Sequence, residues 1–203
     1  MSTIKTTLHS GLLLGIVALV CTALSSGIYF ATKGKIDEAV DAQQRSLLLE
    51  VIPQDYFNND LLADCKPLQN PQISKICTAS KNGRITAYAL EATAHDGYSG
   101  DIRLLIGMTP AGEVLGVRVL EHKETPGLGD KIETRKSDWI HSFDHQFIRP
   151  QAMHEWAVKK DGGKFDQFAG ATITPRAVVN QVKRSALEMI NMIKADKTEH
   201  NQP

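Results

Sequence analysis

The stretch DQFAGATIT, residues 166–174, gathers residue types that can hold a charged group at the start of a helix. Gly170 and Ala171 keep side-chain bulk away, and Thr172 and Thr174 offer hydroxyls two positions apart. Pro175 suits a first helical turn, and a threonine just before it suits a cap. On these residues alone the threonines read as helix caps, beside a helix start whose unpaired N–H groups stabilise a nearby negative charge by about 0.3–1 kcal/mol. A capping role for Thr174 would occupy its hydroxyl.

Other candidate constellations are weaker. The loop ETPGLGDKI (124–132) contains Gly127 and Gly129, which let a backbone approach a flat ligand but also suit an ordinary turn. His141 and His145 stand four apart, a spacing metal sites use, but no third ligand and no His-Glu-x-x-His accompany them, so no metal is expected. Gly112 and Gly116 form neither a dinucleotide fingerprint nor a phosphate loop, so direct NADH or ATP binding is not expected. Trp139 and Trp156 read as core residues, and Lys159, Lys160 and Asp161 as a solvated turn. No side chain is singled out as catalytic.

Composition constrains what can position these residues. The chain has 203 residues, 42% hydrophobic and 23% charged, with 23 basic against 23 acidic side chains. The length suits one domain with an appendage, and the zero net charge gives no support to nucleic-acid binding. The charge is unevenly spread. Residues 10–31 contain no Asp, Glu, Lys, Arg or His, and as a helix they would span roughly 33 Å, enough for a bilayer core of about 30 Å. An uncleaved transmembrane anchor is expected over a signal peptide, whose apolar core is usually shorter. Lys5 lies before the segment, and Lys33 and Lys35 after it. That count does not place the C-terminal part outside. Cys65 and Cys77 are an even pair suited to an oxidising compartment, although nothing in the sequence brings them together.

Beyond the anchor, residues 32–53 read as a stalk helix closed by Pro53. Residues 54–80 read as irregular or loosely folded. Residues 84–94, 101–108 and 113–122 alternate like strands, the latter two pairing as a hairpin across Pro110-Ala111-Gly112. A short helix is expected near 138–143, and a long one from the Thr174–Pro175 start to about Lys194. The expected organisation is a short N-terminal segment (1–9), a transmembrane helix (10–31), the stalk (32–53), a soluble α+β domain (54–194) and a flexible tail (195–203). The soluble domain has an antiparallel sheet and flanking helices.

Residues 166–174 closely resemble the flavin-attachment signature, roughly Asp-x-x-Ser/Thr-Gly-Ala-Thr, of proteins that carry FMN on a threonine phosphoester. Together with DGYSGDIRLLIG (96–107), ETPGLGDKI, WAVKKDGGKFDQF (156–168) and GATITPRAVV (170–179), the chain resembles the G subunit of the Rnf/Rsx electron-transport complex over residues 4–194. The C subunit of the sodium-pumping NADH:quinone reductase shares the same plan. The resemblance implies covalent FMN on Thr172, with Asp166 leading the motif and Gly170, Ala171 and Thr174 around the attachment. Ala169 departs from the usual Ser/Thr. It also implies that the 124–130 loop belongs to the FMN-binding domain; in that loop Gly127 gives backbone access, Leu128 can pack on a ring face, and Thr125 and Lys131 are weaker candidates for polar contacts. Tyr98, Ser99 and Gly100 are a further candidate wall.

The function so implied is electron relay within an ion-translocating complex of the bacterial inner membrane, with a single-pass anchor and a periplasmic domain. The chain would be a carrier subunit rather than a complete enzyme. Its partners would be other membrane and iron–sulfur subunits, and a flavin transferase for maturation. A free-standing flavin reductase and a non-redox anchored assembly module are the alternatives.

Overall fold

The structure, a computed structural model, describes residues 2–199. Its first element, α1, is one uninterrupted helix, Ser2–Val51. An 18-residue window near its start has a mean hydropathy of 2.2 and no part buried within the protein, so the helix is long and apolar enough to cross a membrane. Thr22 returns its hydroxyl to the Ala18 carbonyl at 2.8 Å, which satisfies a polar group inside the apolar stretch without a partner from elsewhere.

The chain divides into two compact units, the first ending at Gln44 and the second beginning at Arg45. The second unit is built on a six-stranded antiparallel sheet whose spatial order follows the chain: β1 (Cys65–Pro67), β2 (Lys75–Lys81), β3 (Arg84–Ala94), β4 (Ile102–Met108), β5 (Glu113–Glu121) and β6 (Gln146–Phe147). The expected α+β class with an antiparallel sheet is the observed one, and β4 and β5 form the expected hairpin.

Both faces of the sheet are covered, which explains the nearly continuous apolar run of β4. Ile102, Leu104, Ile106 and Met108 face a core shared with α2 (Ile173–Glu199), whose Val178, Val179, Val182 and Ala186 are buried against them. Leu105 faces the other way, towards Leu48, Val51 and Ile52 at the end of α1. Close approach there needs two glycines paired across the hairpin, Gly107 and Gly116. A Cβ on Gly107 would lie 2.0 Å from the Val51 carbonyl oxygen, and one on Gly116 would lie 3.3 Å from Val51 Cα. Beside this notch Arg118 Nε donates to Glu50 Oε2 at 2.9 Å.

Residues 54–80 are ordered, against expectation. Leu61, Ile73, Cys77 and Ala79 are buried, and β2 pairs along β3. Gln181 Nε2 and Ser185 Oγ, both on α2, donate to the Gln72 carbonyl at 3.1 and 2.9 Å. Cys65 and Cys77 are directly opposed across β1 and β2 and joined by a disulfide. With a sequence separation of 12, reduction is expected to cost about 3 kcal/mol by the loop-closure model. Thermal melts with and without reductant would show the drop in the native protein, and none in a Cys65→Ser/Cys77→Ser variant.

The C-terminal helix runs five residues past the expected end at Lys194, to Glu199. Residues 200–203 of the expected tail lie outside the described residues.

Candidate functional site

The segment before α2 is shaped by an aromatic base. Phe143, Phe165, Trp156, Trp139 and Phe168 pack edge to face, tilted or stacked, with Phe143 and Phe165 centroids 4.5 Å apart and Trp139 5.1 Å from Phe168. Trp139 is held by a 3-10 helix, Asp138–Phe143, which Ser137 caps by accepting from Trp139 N at 3.1 Å. Its indole Nε1 donates to the Asp166 carbonyl at 2.8 Å. Phe168 is thus drawn into the core, and the chain must reverse at once to start α2. It does so in a tight turn closed by Ala171 N donating to Phe168 O at 3.2 Å. Gly170 occupies the third turn position with φ +81, which a residue with a side chain rarely adopts.

Thr172 emerges from this turn half-buried and immediately before the first helical residue, Ile173. The helix therefore starts one residue before Thr174, and Thr172 takes the position expected for Thr174. Pro175, with no N–H, leaves those of Ile173 and Thr174 as the free donors of the first turn. Among the described residues nothing hydrogen-bonds the Thr172 hydroxyl. The Thr174 hydroxyl, by contrast, is fully buried and donates to Glu124 Oε2 at 2.6 Å.

That contact joins the loop after β5 to α2. Thr125 contributes its carbonyl, which accepts from Leu128 N at 3.1 Å and Gly129 N at 3.0 Å, and its side chain is exposed. Gly127 bends the turn with φ +78. Gly129 fits closely, since a Cβ there would lie 3.0 Å from both Glu124 Oε2 and Thr174 Oγ1. Leu128 is 43% exposed and reaches to 3.7 Å from where a Gly170 Cβ would sit. A third segment joins through Ser99 N, which donates to Glu124 Oε1 at 3.0 Å. Tyr98, Leu128 and Ile173 are thereby left as large exposed apolar side chains on the three converging segments.

The surroundings of Thr172 are cationic but paired. Arg176, in the first turn of α2, makes a two-pronged bond to Asp161 at 2.6 and 2.9 Å, holding that carboxyl below the usual carboxylate range. Lys159 pairs with Asp166 at 2.6 Å, so the leading acidic residue of the motif faces the 159–161 turn. Lys160 donates its backbone N–H to Gln167 Oε1 at 3.0 Å and keeps its side chain exposed.

Behind the 124–130 loop lies a polar cleft of about 490 Å³ whose lining includes His122, Glu124, Asp130, Glu133, Arg135 and Lys136. Glu124 N donates to His122 Nδ1 at 3.0 Å, so Nδ1 is the acceptor and the ring proton sits on Nε2, 2.8 Å from Glu133 Oε1. Arg135, first, and then His122 hold the Glu133 carboxyl below its ordinary value against the opposing effect of burial. A carboxylate depressed in the folded state stabilises fully above its unfolded pKa, near 4.3, and that contribution fades as pH falls through the lower folded value. The stability gap between wild type and Glu133→Gln is therefore expected to shrink as pH falls below about 5 and to close once pH is below the lowered folded value. A gap independent of pH in urea titrations would show that the pair contributes nothing through charge.

The structure thus brings Gly170, Ala171, Thr172, Thr174, Gly127 and Leu128 together. It directs the Asp166 carboxylate to Lys159 and leaves Thr125 a turn residue. His141 and His145 turn to different carboxylates, Asp144 at 2.8 Å and Glu113 at 2.9 Å. Sequence reasoning missed Glu124 and Ile173. The Glu124 bond to Thr174 spans 50 residues and leaves no local pattern.

The chain is similar to known proteins. The FMN-binding domain family matches residues 97–187, which include all three converging segments, and the RnfG N-terminal region matches residues 1–51. The G subunit of an ion-translocating oxidoreductase complex from Haemophilus influenzae (strain PittEE) is 65% identical, with 94% of each chain covered. The corresponding G subunit of Pasteurella multocida (strain Pm70) is 59% identical over 94% of this chain and 97% of its own. That of Salmonella typhimurium (strain LT2) is 48% identical over 91% of each. Among solved structures, NqrC of Shewanella oneidensis is similar with a TM-score of 0.47 and 17% identity, covering 72% of this chain and 73% of that one. With near-full-length identity of this order, the chain belongs to the family of G subunits of ion-translocating oxidoreductase complexes and carries its FMN-binding domain.

Proposed function

We propose that the chain is a membrane-anchored flavoprotein subunit that holds FMN as a phosphoester on Thr172 and relays electrons within an ion-translocating complex. The carrying observation is the contrast between two neighbouring hydroxyls. That of Thr172 is unengaged at the start of α2, and that of Thr174 is buried in its bond to Glu124. FMN, when bound, supplies one- and two-electron transfer, matching single-electron carriers to other flavins.

The protein's own part is retention and placement. Thr172 supplies the covalent oxygen, and the free N–H groups of Ile173 and Thr174 together with the helix dipole favour the phosphate charge. Gly170 and Ala171 leave room for the phosphate. Leu128, Ile173 and Tyr98 offer apolar surface to a flat ring. The family fit is thus matched by an acceptor hydroxyl, anion-stabilising donors and apolar surface on converging segments.

The apolar part of α1 serves as a single-pass anchor in the bacterial inner membrane, residues 10–31 spanning the bilayer and 32–53 forming the stalk. The soluble domain lies in the periplasm, a placement favoured by the Cys65–Cys77 disulfide, which persists in oxidising compartments. Partners are the membrane and iron–sulfur subunits of the complex, and a flavin transferase installs the FMN.

Intact-mass spectrometry after co-expression with a flavin transferase tests the reading. The expected result is a gain of one FMN less water, mapped to the peptide containing Thr172, on protein that stays fluorescent after denaturation. An unmodified chain, alongside a control substrate that the same transferase labels, would overturn it.

A further inference from the structure

We propose that Glu124 is the positioning residue of the flavin site, its buried carboxylate fixing the surface on which a ring carried by Thr172 rests. The proposal deepens the Thr172 reading and rests on it.

Glu124 is only 4% exposed, and both of its carboxylate oxygens are used. Oε2 accepts from Thr174 Oγ1 at 2.6 Å and Oε1 from Ser99 N at 3.0 Å, while its own N–H donates to His122 Nδ1 at 3.0 Å. One carboxylate therefore ties α2 to the 97–100 turn and the 124–130 loop. Two glycines lie close to it. A Cβ on Gly97 would meet the Gly100 carbonyl oxygen at 2.2 Å and Oε1 at 3.0 Å, and one on Gly129 would lie 2.9 Å from Glu124 Cβ and 3.0 Å from Oε2. Glycine at both positions lets the 97–100 turn and the 124–130 loop close around the carboxylate.

The geometry reaches the ring surface through chain adjacency. Tyr98 precedes Ser99, Ile173 precedes Thr174, and Leu128 precedes Gly129. Tyr98 and Ile173 are thus each one residue from a group bonded to the Glu124 carboxylate, and Leu128 is one residue from the glycine beside it. A buried charge is costly to desolvate, and replacing it with apolar packing is often neutral or stabilising. Stability alone therefore does not call for a carboxylate here. What it supplies is two charge-assisted bonds of fixed direction to segments that share no strand pairing.

The test uses full-length protein co-expressed with the flavin transferase, as wild type, Glu124→Ala, Glu124→Gln, Thr174→Val and Thr174→Ser. Three readouts are taken: covalent flavin per chain, quenching of flavin fluorescence by iodide, and amide hydrogen exchange at Ser99. Exchange is also followed in a flavin-free Thr172→Ala background. Glu124→Ala and Thr174→Val are expected to keep covalent flavin but admit iodide several-fold more readily. Glu124→Ala should also speed Ser99 exchange by about tenfold or more, the loss expected for a bond to a charged acceptor. Glu124→Gln and Thr174→Ser should recover most of the iodide protection.

Wild-type iodide access in folded, labelled Glu124→Ala would overturn the proposal, as would a drop in melting temperature with both probes unchanged. If Glu124→Ala does not fold, Thr174→Val, close in shape but lacking the hydroxyl, decides by the same iodide criterion. A wild-type chain without covalent flavin overturns the Thr172 reading and the role of Glu124 towards it. Labelled wild type with unaffected variants overturns the role of Glu124 alone.

Discussion

Thr172→Ala is expected to remove covalent flavin entirely, from one FMN per chain to none, while leaving the fold in place. The attachment needs an alkoxyl oxygen that the transferase and a phosphate can reach, and only the Thr172 hydroxyl of the pair is free. Thr174 cannot substitute from its position, because its hydroxyl is fully buried and committed to Glu124 at 2.6 Å. Among the described residues the Thr172 hydroxyl makes no hydrogen bond, so alanine there removes no cap bond. The buried Val178, Val179, Val182 and Ala186 continue to hold α2 on the sheet. The decisive comparison is in-gel fluorescence of denatured Thr172→Ala, Thr172→Ser and Thr174→Ala beside wild type. Signal is expected in all but the first. A band that persists in Thr172→Ala and vanishes in Thr174→Ala would reverse the assignment.

The second large effect lies at the opposite face of the sheet. Gly107→Val places a branched side chain where even a Cβ would be 2.0 Å from the Val51 carbonyl oxygen and 2.7 Å from its carbon. The obstruction is backbone, not the tip of a flexible side chain, so it cannot be relieved by a rotamer change. Either β4 bends or the last turn of α1 leaves the sheet, exposing Val51 and Ile52, which are fully buried. The expected cost is about 4–5 kcal/mol, within the exceptional range for one substitution. Gly116→Ala, with its nearest contacts at 3.3 Å, should cost about 1 kcal/mol, near the typical value for a point mutation. Urea unfolding in detergent, followed by the emission of Trp139 and Trp156, measures both. Equal midpoints for the two variants would mean that the α1 terminus does not occupy the glycine notch.

The parts of the fold that can be read from the residues are those whose pattern is local. Strands β3, β4 and β5 announce themselves through alternating or continuous apolar residues and the Pro110–Gly112 turn, and α2 through its valines at helical spacing. β1 and β2 do not. Their residues are of mixed polarity, and they become strands by adding to the edge of β3 and by the Cys65–Cys77 link. The same reason accounts for Thr174. Its spacing before Pro175 suits a cap, but an acceptor 50 residues away in sequence captures its hydroxyl. The helix instead begins at Ile173, which moves the cap position to Thr172.

The apolar span able to cross a bilayer, the antiparallel α+β class, the family resemblance and the motif around Thr172 are all written in the order of residues. These are short-range properties: a run without charges, a period of two or of three to four, a small-residue turn before a helix. The packed fold alone settles which of the two hydroxyls is free, which loop faces the motif, and that a buried carboxylate joins three segments. It also explains why two glycines must face the end of α1. Each of these depends on distances between atoms remote along the chain, and such distances come into being only when the sheet, α1 and α2 pack together.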